Sequence, residues 1–268
     1  MNVQDEKAIR AIIKTAMESY ASGFSDRHLG ELDDPEGTIN MKIHNVFIAA
    51  LGEDIQYYSS LARSLDSSLG NMLEKMAINI ASLNYTVSRH VDGYITNAQT
   101  EFIAVILEEY KRNAKKPSIN DYRNLILREG KAIAKRHESD YCLKDEDKNE
   151  YHLIELKIGG DLDNKKARSE KEALLEQYCI LSNALGSDEK IKIHFATAYN
   201  RYGEGNKWKQ SRVLQFFAEE ELLISSAFWN MICKSEHGYE TVLDEYRKNA
   251  YLIINALTKI KSAYLPNR

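Results

Sequence analysis

The chain opens on a helical rhythm. Over residues 4–22 the apolar positions Ile9, Ile12, Ile13, Ala16, Met17 and Tyr20 recur at the 3.6-residue spacing of one packed stripe. Gly30 to Gly37, with Pro35, interrupts the pattern. Two more helices are expected around residues 41–62 and 67–84, the second capped by Ser67 and carrying Met72, Leu73, Met76, Ile78 and Ile80. Residues 97–113 predict another helix, ended by Lys115-Lys116-Pro117, and Ser118 is placed to cap one running through Tyr122, Leu125, Ile126 and Ile133. Apart from that loop, the first hundred residues read as helical.

The period then drops to two. Residues 139–144 and 150–158 predict strands joined by the polar turn 144–149, a hairpin ended by Gly159-Gly160. Residues 164–185 return to helix and stop at Gly186. Ile191, Ile193, Phe195 and Thr197 alternate with Lys192, His194 and Ala196 in a strand over 191–199, and the tail from Val213 to Leu265 reads as mostly helical. No repeat, low-complexity segment or clean linker divides the chain. The expected fold is α/β (α+β): a mainly helical N-terminal region, 1–115, packed on a core with C-terminal helices, 116–268, as one integrated domain.

Composition adds limits. The 268 residues, 43% hydrophobic and 28% charged, can bury a sizeable core, and no run approaches the roughly 20 apolar residues of a membrane span. The acidic, amphipathic start does not resemble a signal peptide, so a cytoplasmic location is expected. Cys142, Cys179 and Cys233 form no CxxC pair, which argues against a zinc ribbon or disulfide frame and predicts buried free thiols. A net charge of −4 does not exclude a nucleic-acid partner, because phosphate affinity depends on where the cations are placed.

The segment Tyr151-His152-Leu153-Ile154-Glu155-Leu156-Lys157-Ile158 bears the candidate chemistry. Strand alternation sends His152, Ile154, Leu156 and Ile158 towards the core and puts Glu155 and Lys157 side by side on the other face. Asp140, on the preceding strand of the hairpin, can reach the same face; Asp145 and Asp147 are its nearby rivals and read as solvated turn residues. Two carboxylates offer hard oxygen ligands to Mg²⁺ and leave positions for water and a phosphate oxygen. A lysine two residues past the glutamate can orient the water and offset charge that builds on the phosphate. This is the chemistry of phosphodiester hydrolysis.

Ser139-Asp140 and Glu155-Leu156-Lys157 resemble the two half-motifs of the PD-(D/E)xK nuclease superfamily, with Ser139 where a proline usually stands. The stretches 64–81, 155–178 and 227–246 are further similar to TdeIII-type restriction endonucleases, a likeness covering roughly residues 40–250. That resemblance implies a restriction-endonuclease-like core with a mixed sheet flanked by helices. It also implies a type II enzyme cutting double-stranded DNA at GGNCC to leave 5′-phosphate ends, with Mg²⁺ as cofactor, a homodimer and a cognate DNA methyltransferase. The alternatives are a repair or recombination nuclease of the same superfamily, and a non-catalytic DNA-binding protein with a degenerate nuclease fold.

Several flanking residues have both a functional and a plain reading. Glu74, with Glu129 as competitor, is the candidate auxiliary carboxylate; the plain reading is an exposed helix glutamate. Asp163 reads as a helix cap. Lys165, Lys166 and Arg168, in first turns where cations oppose the helix dipole, are candidates to meet phosphates. Arg201, Lys207 and Lys209 lie in a Gly-rich loop that either enters a DNA groove or is a surface loop anchored by Trp208. Phe228 and Trp229 read as core, and His137, His152 and His194 as structural.

Overall fold

A computed structural model describes residues 1–123, 130–159 and 162–266; the side chains of 137–140 and of 164 lie outside that description. Packing divides the chain into two compact units, residues 1–79 with 240–268, and residues 80–239. The division does not fall at residue 115, because the last long helix returns to the first ones and the segment from 80 packs with the sheet.

The helical unit holds α1 (Val3–Gly30), the short α2 (Val46–Ala49), most of α3 (Glu53–Ala81) and α8 (Gly238–Tyr264). The predicted stripe on α1 is real: Ile9, Ile13 and Met17 are fully buried, and Phe24 continues it. Phe24 joins Ile39, Tyr57, Leu61, Ile260 and Leu265 in one cluster, tying α1, α3 and α8 together. The expected break before Ser67 is absent. Ser68 Oγ bonds instead to the Ser64 carbonyl at 2.7 Å, so the serine-rich stretch stays inside one helix.

The second unit is built on a mixed five-stranded sheet in the order β1-β2-β3-β4-β5: β1 (Thr86–Thr96), β2 (Ala132–Asp145), β3 (Glu150–Lys157), β4 (Ile191–Thr197) and β5 (Leu222–Ile224). The first three strands are antiparallel neighbours, and β4 and β5 follow β3 in parallel. Residues 86–96, expected as helix, are an edge strand, and Ile133 lies on β2 rather than on a helix from Ser118. Ser118 caps only a 3₁₀ turn, Ile119–Asp121, and the rest of that expected helix, with Glu129, falls outside the described residues. β5 interrupts the tail expected to be helical, between the short α6 (Ser211–Leu214) and α7 (Ser226–Ile232).

Local chemistry fixes the helices over the sheet. α4 (Asn97–Lys111) starts in a capping box: the Gln99 N–H donates to Thr96 Oγ1 at 3.2 Å and the Thr96 N–H to Gln99 Oε1 at 2.9 Å. α5 (Asn164–Leu185) begins with Asp163 accepting from the Lys166 N–H at 2.8 Å, as its capping reading predicts, and ends at left-handed Gly186. It supplies the crossover that parallel β3 and β4 require. One core unites Leu153, Ile191, Ile193 and Phe195 of the sheet with Ile103, Ile106 and Leu107 of α4 and Ala167, Leu174 and Tyr178 of α5. The opposite face is covered too: Phe228 and Trp229 are buried, and the Trp229 indole donates to the Ala198 carbonyl at 2.8 Å.

Candidate active site

Glu155 and Lys157 lie at the C-terminal end of β3, where β3, β4 and β5 run parallel. The register sets Lys157 beside Thr197, and Thr197 beside Ile224. Their side chains share a face with Leu153, so they occupy the side that α5 covers and not an open solvated one. The expectation that only the His152–Ile154–Leu156 face is buried is corrected: a parallel strand flanked on both faces buries both sets. Glu155 is 9% exposed, the lysine side chain 32%.

The two side chains are joined. The Lys157 ammonium donates to Glu155 Oε1 and also lies 3.1 Å from Glu170 Oε1 on α5. Burial works against the ammonium, but the two carboxylates outweigh it and push the lysine upward from its ordinary value. Lys157 therefore stays protonated at neutral pH, a donor and a positive charge rather than a general base. Glu170 was not anticipated from the sequence. Its signal is positional: it lies half-buried at the edge of the buried stripe of α5, between Ala167 and Leu174, where a charged residue can find a partner on the sheet.

Asp140 lies on β2, one step from the Tyr141–Ile154 pair, as Glu155 is on β3. Its side chain is outside the described residues. The β1–β2 register shifts here: Ser88 pairs with Cys142 and His90 with Glu138, leaving Arg89 against Ser139, Asp140 and Tyr141. Such bulges redirect side chains and are common beside active sites. Of the rivals, Asp147 is exposed as expected, but Asp145 is buried. It accepts from Lys234 Nζ at 3.0 Å and from the Asp147 and Lys148 N–H groups, which hold the hairpin turn. Despite its burial these bonds keep Asp145 below the usual carboxylate range.

The remaining candidates scatter. Glu74 lies half-buried on α3 in the helical unit. Lys165 and Lys166 are exposed on the first turn of α5, while Arg168 is half-buried with its Nε lacking a partner among the described residues. The loop 200–210 is anchored by Trp208, buried and edge-on to Tyr202 at 5.4 Å. Asn200 and Asn206 spend their amide groups on that loop's own backbone. Lys207 pairs with Glu219 at 2.7 Å, and Arg201 and Lys209 are exposed. Lys209 lines a cavity of about 770 Å³ with Lys115, Lys116 and Arg212, cations distant in sequence that the fold gathers.

The three cysteines are buried and free, with thiols pushed up by burial to about 11 for Cys142 and about 12 for Cys179 and Cys233. His152 and His194 stack, with Nδ1 of the first 3.1 Å from Nε2 of the second. Among the described residues no helix is long and apolar enough to cross a membrane, and no cluster of three or more His, Cys, Asp or Glu stands ready for a metal.

A mixed sheet whose central strand ends in Glu-x-Lys, preceded by a hairpin strand bearing an aspartate and followed by a covering helix, defines a nuclease core of the PD-(D/E)xK class. The chain matches the HinfI family of type II restriction endonucleases over residues 4–250, and no curated protein matches it. It belongs to that family and is a type II restriction endonuclease, a DNA-binding hydrolase.

Proposed function

We propose that this restriction endonuclease hydrolyses both strands of its target with Asp140 and Glu155 as metal ligands and Lys157 as the catalytic cation, leaving 5′-phosphate ends. The observation that carries the assignment is the Lys157 ammonium held against Glu155 on the α5 face of β3. Among the described residues the donors beside Lys157 are the carboxylate oxygens of Glu155 and Glu170, a kind that suits a hard ion such as Mg²⁺. Asp140 and Glu155 would hold it, and when bound it acidifies a water and polarises a phosphate oxygen. Lys157 orients the attacking water and offsets charge on the phosphate in the transition state. Glu155, nine-tenths buried, is fixed by a strand paired on both edges, so little reorganisation is needed.

Lys165, Lys166, Arg168, Arg201, Lys207 and Lys209 are assigned to the DNA, the first two to phosphates. A palindromic target and one site per chain favour a homodimer acting in the cytoplasm, with a cognate methyltransferase protecting host DNA.

The GGNCC target implied by resemblance to TdeIII-type enzymes does not follow from the family match, which favours a GANTC-like site. The two differ in the second base pair of each half-site. Guanine there asks for Arg or Lys and adenine for Asn or Gln. Sequencing the ends of plasmid fragments cut in Mg²⁺ reads the target and cut position together. Discrete bands, lost in EDTA and in Glu155→Ala and Lys157→Ala variants that remain folded, are expected. A smear, or cutting that survives either substitution, refutes the assignment.

A further inference from the structure

Lys157 has a second carboxylate partner, and its place in α5 is over-determined. Ala167, Lys171, Leu174 and Tyr178 form the helix face that meets the sheet, all at most 1% exposed. Lys171 is an unusual member of that stripe. Its ammonium is ion-paired with buried Glu221 and lies 4.8 Å and 5.1 Å from the ring centroids of Tyr122 and Phe217. Tyr122 donates to the same Glu221 oxygen at 2.6 Å, and the Ala218 N–H donates to the other at 2.7 Å. A buried charge bonded on so many sides tolerates little displacement. It fixes the rotation of α5 about its axis one residue from Glu170, whose carboxylate is thereby aimed at Lys157.

We infer that Glu170 is a positioning residue for the cleavage reaction, holding the Lys157 ammonium at the end of β3 in concert with Glu155. The inference rests on the nuclease reading of Glu155 and Lys157. An ammonium has three donors. Two are spent on Glu155 and Glu170, which leaves one directed donor for the water or the phosphate oxygen. With Glu155 alone, a four-carbon side chain one-third exposed would sample several rotamers, and displacements of about 1 Å cost such sites up to a hundredfold in rate.

Single-turnover cleavage of a plasmid, DNA affinity in Ca²⁺ and acylation of the Lys157 amine in metal-free protein, read by mass spectrometry, test this together. Glu170→Ala is expected to cut at least tenfold more slowly with DNA affinity unchanged, and to label faster at Lys157. Glu170→Gln, whose amide oxygen still accepts the bond, should regain much of the rate. Cutting by Glu170→Ala within twofold of the parent overturns the inference, as does an equal loss in both variants or a loss confined to DNA affinity. Glu155→Ala run alongside separates the failures: if it still cuts, the nuclease reading of this site falls; if it is dead while Glu170→Ala cuts normally, only the role of Glu170 falls.

Discussion

Acidification below pH 6.5 should weaken the sheet that carries the site. His152 and His194 sit on neighbouring strands, buried, stacked at 5.3 Å between ring centroids. Burial first, then Lys192, lowers His152 from 6.5 to about 4; burial, then His152 and Lys192, lowers His194 to about 3. Tyr85, Glu150, Asp145 and Lys148 also face His152, and the two carboxylates only partly oppose the shift. The ring-to-ring hydrogen bond needs one nitrogen without a proton, so charging both rings also destroys it.

The sign follows from proton counts. Between pH 6.5 and about 4 the unfolded chain binds protons at both histidines while the folded chain does not, so stability rises with pH across that window. The contribution is present above pH 6.5 and is lost as pH falls towards the folded values. At pH 5 each group costs about 2 kcal/mol, or about 4 kcal/mol together, a figure set by the unfolded value alone once the folded ones lie well below 5. That is a large part of a typical domain's stability and corresponds to a fall in Tm of about 8–16 °C between pH 8 and pH 5. Thermal unfolding across that range measures it, and NMR of the imidazole protons checks the cause. His28, in the helical unit, is also lowered by burial and would add to the slope. Either His152 or His194 titrating near 6.5 in the folded protein would refute the reasoning.

Three further outcomes are expected. Replacing Lys115, Lys116, Lys209 and Arg212 singly by Ala should weaken DNA binding irrespective of sequence and reduce the salt slope of log K by about 0.9 for each phosphate no longer neutralised; filter binding from 50 to 200 mM salt measures this, and unchanged slopes remove that groove from the DNA path. Lys171→Met should leave Glu221 buried without its cation and destabilise by about 3–5 kcal/mol in urea unfolding; a neutral effect would show that Tyr122 and the Ala218 N–H suffice. Asp145→Asn should cost about 1–3 kcal/mol of stability through the Lys234 bond while leaving cleavage intact, whereas Asp140→Asn should abolish cleavage; the reverse pattern exchanges their roles.

Elements were legible where a residue's own chemistry marks a boundary. Asp163 and Gly186 delimit α5 because an aspartate cap and a left-handed glycine act within one turn. They were misread where pairing decides. Thr86–Thr96 carries Arg89, His90 and Asp92 in an exposed edge strand, so its apolar positions show no clean period of two, and β2 selects its conformation. Ser67 resembles a cap only if the chain breaks before it, and nothing between residues 62 and 67 breaks a helix. β5 has three residues, too few for any period.

The same division runs through the site. Glu155 and Lys157 were readable because two positions on one strand share a face whatever else the chain does. Glu170 was not, because its meeting with Lys157 depends on the rotation of α5, and that rotation depends on Lys171 finding Glu221 fifty residues later in the chain. Lys115 and Lys116 looked like punctuation until the fold set Lys209 and Arg212 on the same cavity. Asp140 is the instructive middle case. Alternation would assign its face from Cys142, which packs in the α5-side core. Two β1 steps from Ser88 to His90 span four on β2, and below that shift it is Val91 and Ile95, partners of His137 and Ile133, that enter the same core. Among the described side chains of β2, Cys142 meets that core from an even position and Lys135, paired with Glu176 of α5, faces the same helix from an odd one. A rule of period two cannot aim a side chain at the point where the period changes. The register shift between Ser88 and His90 makes the length of β2 between Glu138 and Cys142 a constraint on the sheet.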